Sequence, residues 1–141
     1  MRAKWRRLAL PIILPLVCAW IAWQRRRILR NGIPLTDSQR ADAVAVGVKF
    51  PELVRVLHVR KIPFLSRRTL GLAAAHGIFI RDDCREVRAL LVHELAHTAQ
   101  YERSGGITPF LREYLREFLD LGYPFGALER EAAEIAKRVC D

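Results

Sequence analysis

The stretch LLVHELAHTAQ, residues 90–100, places two histidines four positions apart, with a glutamate directly after the first and uncharged residues elsewhere. Val87, Leu90, Leu91, Leu95, Thr98 and Tyr101 recur at helical spacing, which predicts a helix over about 84–103, capped by Asp82 or Asp83. On a helix, residues i and i+4 lie only about 40° apart around the axis, so His93 and His97 share a face and both rings can bind one metal ion. Glu94 stands about 60° from His97, outside the first ligand position but beside it, where a carboxylate can take a proton from a metal-bound water. A shuffle of this composition yields H-E-x-x-H in roughly 0.7% of chains, so chance is a weak competitor. The structural alternative is a histidine pair hydrogen-bonded inside a core. It has to explain why a buried helix would also hold a charged glutamate, which is costly without a partner.

A catalytic zinc takes three protein ligands and keeps one place for water. The metzincin continuation would need a glycine and a histidine where Gln100 and Arg103 stand. The other solution is a glutamate on a following helix, and LEREAAEIA, residues 128–136, offers candidates. The apolar arc of that helix is Leu128, Ala132, Ile135, Ala136 and Val139. Glu129 flanks one side of the arc, Glu131 the other, and Glu134 faces away; the wheel leaves Glu129 and Glu131 both open. A donor for a developing oxyanion is also needed. By residue type Tyr101, Tyr114, Tyr123 and His76 qualify. Tyr123, in a glycine-proline loop, is the expected donor, against the plainer reading that it packs beneath that loop.

Working outward, VRVLHV (54–59) has β-branched, alternating character, and His58 within it receives no role. The segment 69–83 shows two short extended runs around His76 and Gly77, of which GIFIR (77–81) is the stronger strand. Thr36 or Asp37 caps a helix over about 38–47. Ser104, Gly105 and Gly106 stop the motif helix. Thr108 caps and Pro109 opens an amphipathic helix to about 119, and a last helix spans about 127–140. Arg103, Arg112 and Arg116 read as solvated helix faces. The expected fold class is α+β, a small sheet or hairpin packed on the motif helix and two further helices.

Charge settles the domain organisation. Of the net +9, the first thirty residues hold eight Lys or Arg and no acid, leaving sixteen basic against fifteen acidic residues in the rest. A nearly neutral body argues against a nucleic-acid partner, which needs a basic surface on the folded domain. The basic residues instead bracket LALPIILPLVCAWIAW, residues 8–23, an uncharged run with Trp5, Trp20 and Trp23 near its ends. At about 24 Å of helix it is short of a ~30 Å hydrocarbon core, a deficit that snorkelling arginines and interfacial tryptophans can make up. The expectation is a single-pass N-terminal anchor (1–30) followed by a domain (31–141). Pro11 and Pro15 keep an in-plane helix as the alternative, and a cleaved signal lacks a good small-x-small site. With four positive residues on either side, orientation is unspecified. A compact chain without eukaryotic targeting signals suggests a bacterial inner membrane. Cys84 and Cys140 can pair in an oxidising compartment or stay free thiols. Oligomeric state is not specified by the sequence.

HELAHTAQ followed about thirty residues later by LEREAAEIA resembles the minimal gluzincins, and most of all the short HELxHxxQ zincin domain associated with extracellular contractile injection systems. GIFIR matches the strand before its motif. The E-x-x-A arrangement is similar to integral-membrane endopeptidases of the CAAX-prenyl type. The resemblance covers residues 70–140, approximately. It implies zinc as cofactor, Glu129 (three before Ala132) as third ligand with Glu131 as fallback, and Glu94 as general base. It also implies a peptide or protein substrate laid along GIFIR as an edge strand. Ala133 stands where those families carry an acid or asparagine, which removes a partner for a ligating histidine. The expected function is therefore a membrane-anchored zinc metallopeptidase. The rivals are an inactive zincin-like scaffold, since a body of about 110 residues lacks the subdomain that builds the far wall of a zincin cleft, and an anchored helical interaction protein without metal.

Overall fold

GIFIR forms β4 (Gly77–Arg81), and its alternation decides how the layers stack. Gly77 and Phe79 point to one face of the sheet, Ile78 and Ile80 to the other, and all four are buried, so both faces must be covered. The computed structural model describes residues 2–141, with side chains from residue 4 onward. In it β1 (Ile33–Pro34), β2 (Arg55–Val59), β3 (Gly71–Ala74) and β4 make a mixed sheet in the order β1-β2-β4-β3. β2 and β4 run parallel, while β1–β2 and β3–β4 are antiparallel.

The fold is α+β, with five α-helices among the described residues. α1 (Arg2–Asn31) crosses the face that carries Gly77 and Phe79: Ile28 packs on Gly77, and the Arg27 guanidinium sits 5.7 Å from the Phe79 ring centre. The opposite face receives α3 (Arg88–Ser104), with Glu94 beside Gly71 and Ile80. α4 (Ile107–Leu121) packs against α3 and along α1, and α5 (Ala127–Cys140) against α3. α2 (Asp37–Ala45) begins with a capping box in which the Thr36 hydroxyl accepts from the Gln39 N–H and the Gln39 side chain accepts from the Thr36 N–H.

Several expectations change. GIFIR is not an edge strand: β4 lies between β2 and β3, and the edge near the motif helix is β3. The sheet also gains a short strand directly after α1, because Ile33 and Pro34 pair with β2. Asp82 and Asp83 do not cap α3. They lie in a 3-10 turn, their carboxylates bound by Arg85 and Arg81, and α3 starts at Arg88. α4 starts at Ile107 with Gly106 as its cap residue, so Thr108 lies inside the first turn. Cys84 and Cys140 are free thiols, as is Cys18.

α1 is long and apolar enough to cross a membrane, a property also met in signal sequences and in core helices of soluble proteins. Neither proline interrupts it. Its C-terminal part belongs to the core, with Ile21, Gln24 and Ile28 buried, so the apolar segment and the domain are joined by one continuous helix.

Candidate metal centre

α3 and α5 face each other, and what they bring together is His93, His97 and Glu129. The Glu129 carboxylate lies 3.1 Å from His93 Nε2 through Oε2 and 3.0 Å from His97 Nε2 through Oε1. A tetrahedral zinc with bonds of about 2.0–2.2 Å sets its ligand atoms roughly 3.3 Å apart, close to these separations. One ligand atom from each residue lies within 4.8 Å of the others. Two imidazoles and one carboxylate also match zinc's preference for nitrogen and oxygen donors with a fourth position left over.

The helical wheel leaves Glu129 and Glu131 equivalent, and their surroundings separate them. Glu131 accepts from Arg103 at 2.8 Å and from the Gln100 amide nitrogen at 3.1 Å. That amide nitrogen also donates to the Leu128 carbonyl, which fixes which way the Gln100 amide points. Its oxygen is then directed at His97 Nδ1, 2.8 Å away, so Nδ1–H donates and Nε2 keeps its lone pair for the metal position. His97 Nδ1 thus has its partner in Gln100, from the motif's own helix. Arg103 is solvent-exposed, as expected of a solvated face, and bonds Glu131 at the far end of this chain.

Of the four donors considered by type, one touches the site. Tyr114 donates from its hydroxyl to Glu129 Oε1 at 2.8 Å, and its ring lies edge-on to His97. Tyr123 is 64% exposed at the rim of a small cleft that it lines with Tyr114, Glu117, Phe118 and Glu129. Tyr101 donates to the Ala73 carbonyl, and His76 pairs with Glu102 at 2.8 Å. No local signal distinguishes Tyr114. It faces the site only because α4 folds back on α3, with Phe110 stacked on Tyr101.

Glu94 lies buried next to the ligands, against Gly71. A Cβ at Gly71 would come 3.2 Å from Glu94 Cγ, so a side chain there would push the glutamate aside. Burial raises the Glu94 carboxyl above its ordinary range, partly countered by His97 and His93. Burial would also raise Glu129, but the His93 and His97 rings against it outweigh burial and hold that carboxyl well below the usual range. For His97, burial opposes the charged ring, and the Glu129 and Glu94 carboxylates outweigh it and raise its pKa. Tyr114 is raised by burial and by the Glu129 charge.

The cleft side of α5 is set by a second contact. Glu117 on α4 accepts from the Leu128 N–H at 3.0 Å, at the N-terminus of α5 where a carboxylate is favoured. Gly126 makes room for it, since a Cβ there would meet Glu117 Oε2 at 2.7 Å.

The edge strand near the site is largely occupied. Tyr101 bonds the Ala73 carbonyl and Thr98 the Ala75 carbonyl, which leaves the Gly71 end of β3, beside Glu94, for a partner strand. Compared with known proteins, the chain matches no family model, no curated protein and no solved structure.

Proposed function

We propose that this protein is a zinc-dependent metallopeptidase held at a membrane by α1. The observation that supports it is the convergence of His93, His97 and Glu129 with Glu94 beside them. His93, His97 and Glu129 would hold a zinc ion, which would supply an acidified water and polarise the scissile carbonyl. Glu94 takes the water's proton and delivers it to the leaving nitrogen. Gln100 keeps His97 in the tautomer that presents Nε2, with Glu131 and Arg103 holding Gln100 in turn. Tyr114, one hydrogen bond from Glu129, is better placed than Tyr123 to donate to the carbonyl oxygen as it gains charge. An extended peptide meets β3 at Gly71.

The test is Glu94→Gln in the full chain, with zinc measured by elemental analysis and cleavage followed on a peptide library. One zinc per chain should remain while cleavage falls by at least about a hundredfold. Undiminished cleavage by the variant overturns the mechanism, and wild-type protein that folds without zinc favours a metal-free interaction protein.

A second reading, a zinc-bearing scaffold without turnover, is favoured by one feature. The His97 and Glu129 side chains are only 7% and 10% exposed and His93 only 23%, a narrow access for a polypeptide. Zinc without an exchangeable water would support it.

A further inference from the structure

The exposed side of α1 is one continuous apolar stripe. Trp5, Leu8, Ile12, Leu16 and Trp23 recur at helical spacing and are each more than half exposed, with Pro11, Pro15 and Ala19 between them. Ile13, Leu14, Val17, Ile21 and Gln24, on the other side of the helix, are partly or fully buried.

α4 bears on how such a helix meets a bilayer. Arg6 bonds the Asp120 carbonyl at 3.1 Å, so the C-terminus of α4 lies beside the N-terminal end of α1. α4 has fifteen residues, about 22 Å of helix, nearly the length of the uncharged run. Threading α1 across a bilayer in this fold would carry Arg112, Glu113, Arg116 and Asp120, all exposed, into hydrocarbon. Laying α1 flat immerses only its outer stripe.

Both ends of the stripe continue into exposed aromatic residues. Near Trp5, beyond Asp120, stand Leu121, Tyr123 and Phe125, with Phe118 one turn earlier. At the other end Phe64 is 82% exposed at the tip of the 60–70 loop, edge-on to Trp20. Its backbone takes a φ of 61°, uncommon for a residue with a side chain. Basic residues accompany both ends: Lys4 and Arg7 at one, and Arg25, Arg26, Arg30, Arg60, Lys61, Arg67 and Arg68 at the other, all exposed.

We propose that α1 seats the protein flat on an anionic bilayer, its outer stripe and Phe64 in the headgroup–acyl boundary and the basic residues among the lipid phosphates. Tyr123 and Phe118 then put the rim of the cleft leading to Glu129 next to the bilayer surface. Resting on the peptidase reading, the substrate is a segment that emerges from or lies on the membrane.

The test uses the full chain with Cys18 and Cys140 changed to serine and the buried Cys84 changed to alanine. Single nitroxide labels are placed at Leu8→Cys, Ile12→Cys and Leu16→Cys, on vesicles of phosphatidylcholine with or without phosphatidylglycerol. The expected result is one shallow depth for all three labels and binding that requires the anionic lipid. Phe64→Asp should weaken that binding at least tenfold while leaving helix content unchanged. A depth that increases from Leu8 through Ile12 to Leu16, the centre of the uncharged run, and is insensitive to Phe64→Asp means a spanning anchor and overturns the proposal. Failure to bind, with a dimer in light scattering, means that a second copy covers the stripe and overturns it too. None of these readouts depends on peptide cleavage, so a failed peptidase reading leaves the seat testable.

Discussion

Between α3 and α5, polar side chains meet inside the protein and each finds a partner. His93 and His97 meet Glu129, Glu129 meets Tyr114, and His97 continues through Gln100 and Glu131 to Arg103. Along the outer face of α1 the situation is inverted, with Trp5, Leu8, Ile12, Leu16 and Trp23 left exposed. The difference follows from what each kind of group requires. Buried polar groups have directional needs that the protein must meet internally, and a long connected chain of them fixes a particular geometry. Exposed apolar surface has no directional need, and a contiguous stripe of this kind calls for a covering of the same character.

The strongest way to break the polar seam is at the ligand. Glu129→Ala should abolish stoichiometric zinc, whereas Glu131→Ala, two residues along the same helix, should keep it with reduced affinity, both read by elemental analysis. Equal loss in the two variants would mean that the carboxylates are interchangeable, contrary to their different neighbours. Next in size is Tyr114→Phe, expected to lower kcat about a hundredfold at saturating zinc, against little change for Tyr123→Phe. If added zinc restores Tyr114→Phe to full rate, the hydroxyl only orients Glu129. Gln100→Ala should weaken zinc binding roughly 10- to 100-fold, because His97 then loses the acceptor that fixes its tautomer. Chelator competition measures this directly.

The seam and the stripe are unequally legible in the sequence. HELAHTAQ carries its own geometry, since i and i+4 share a helix face wherever the helix packs. The apolar run of residues 8–23 is equally plain as composition. What stays hidden is the meeting of distant segments. Glu129 and Glu131 flank the same apolar arc, and only the pairing of Glu131 with Arg103 and Gln100 separates them. Tyr114 and Tyr123 differ through the fold of α4 onto α3. GIFIR reads as a strand from its composition, but strand order is a non-local property, and the parallel pairing with β2 puts it inside the sheet. Asp82 and Asp83 have the chemistry of caps yet are claimed by Arg85 and Arg81, a competition that spacing does not reveal. Nor does the composition of the uncharged run reveal that α4 packs along it.

The smallest expected effect tests the stripe from the side of stability, using one substitution at two places in α1. Ile28 is fully buried and packs so closely on Gly77 that its Cβ and methyl groups would lie only 3.0–3.2 Å from a Cβ at that glycine. Ile28→Ala should therefore cost about 2–5 kcal/mol through lost burial and the cavity it leaves. Ile12, sixteen residues earlier on the same helix, is 69% exposed. Ile12→Ala should change the unfolding free energy of the lipid-free chain by less than about 0.5 kcal/mol, since it removes almost no internal contact. Urea titrations of the two variants without lipid give the comparison. A large loss at Ile12 would show that the stripe is already covered by protein in solution, and the contrast between a self-satisfied seam and an unsatisfied outer face would then fail at α1.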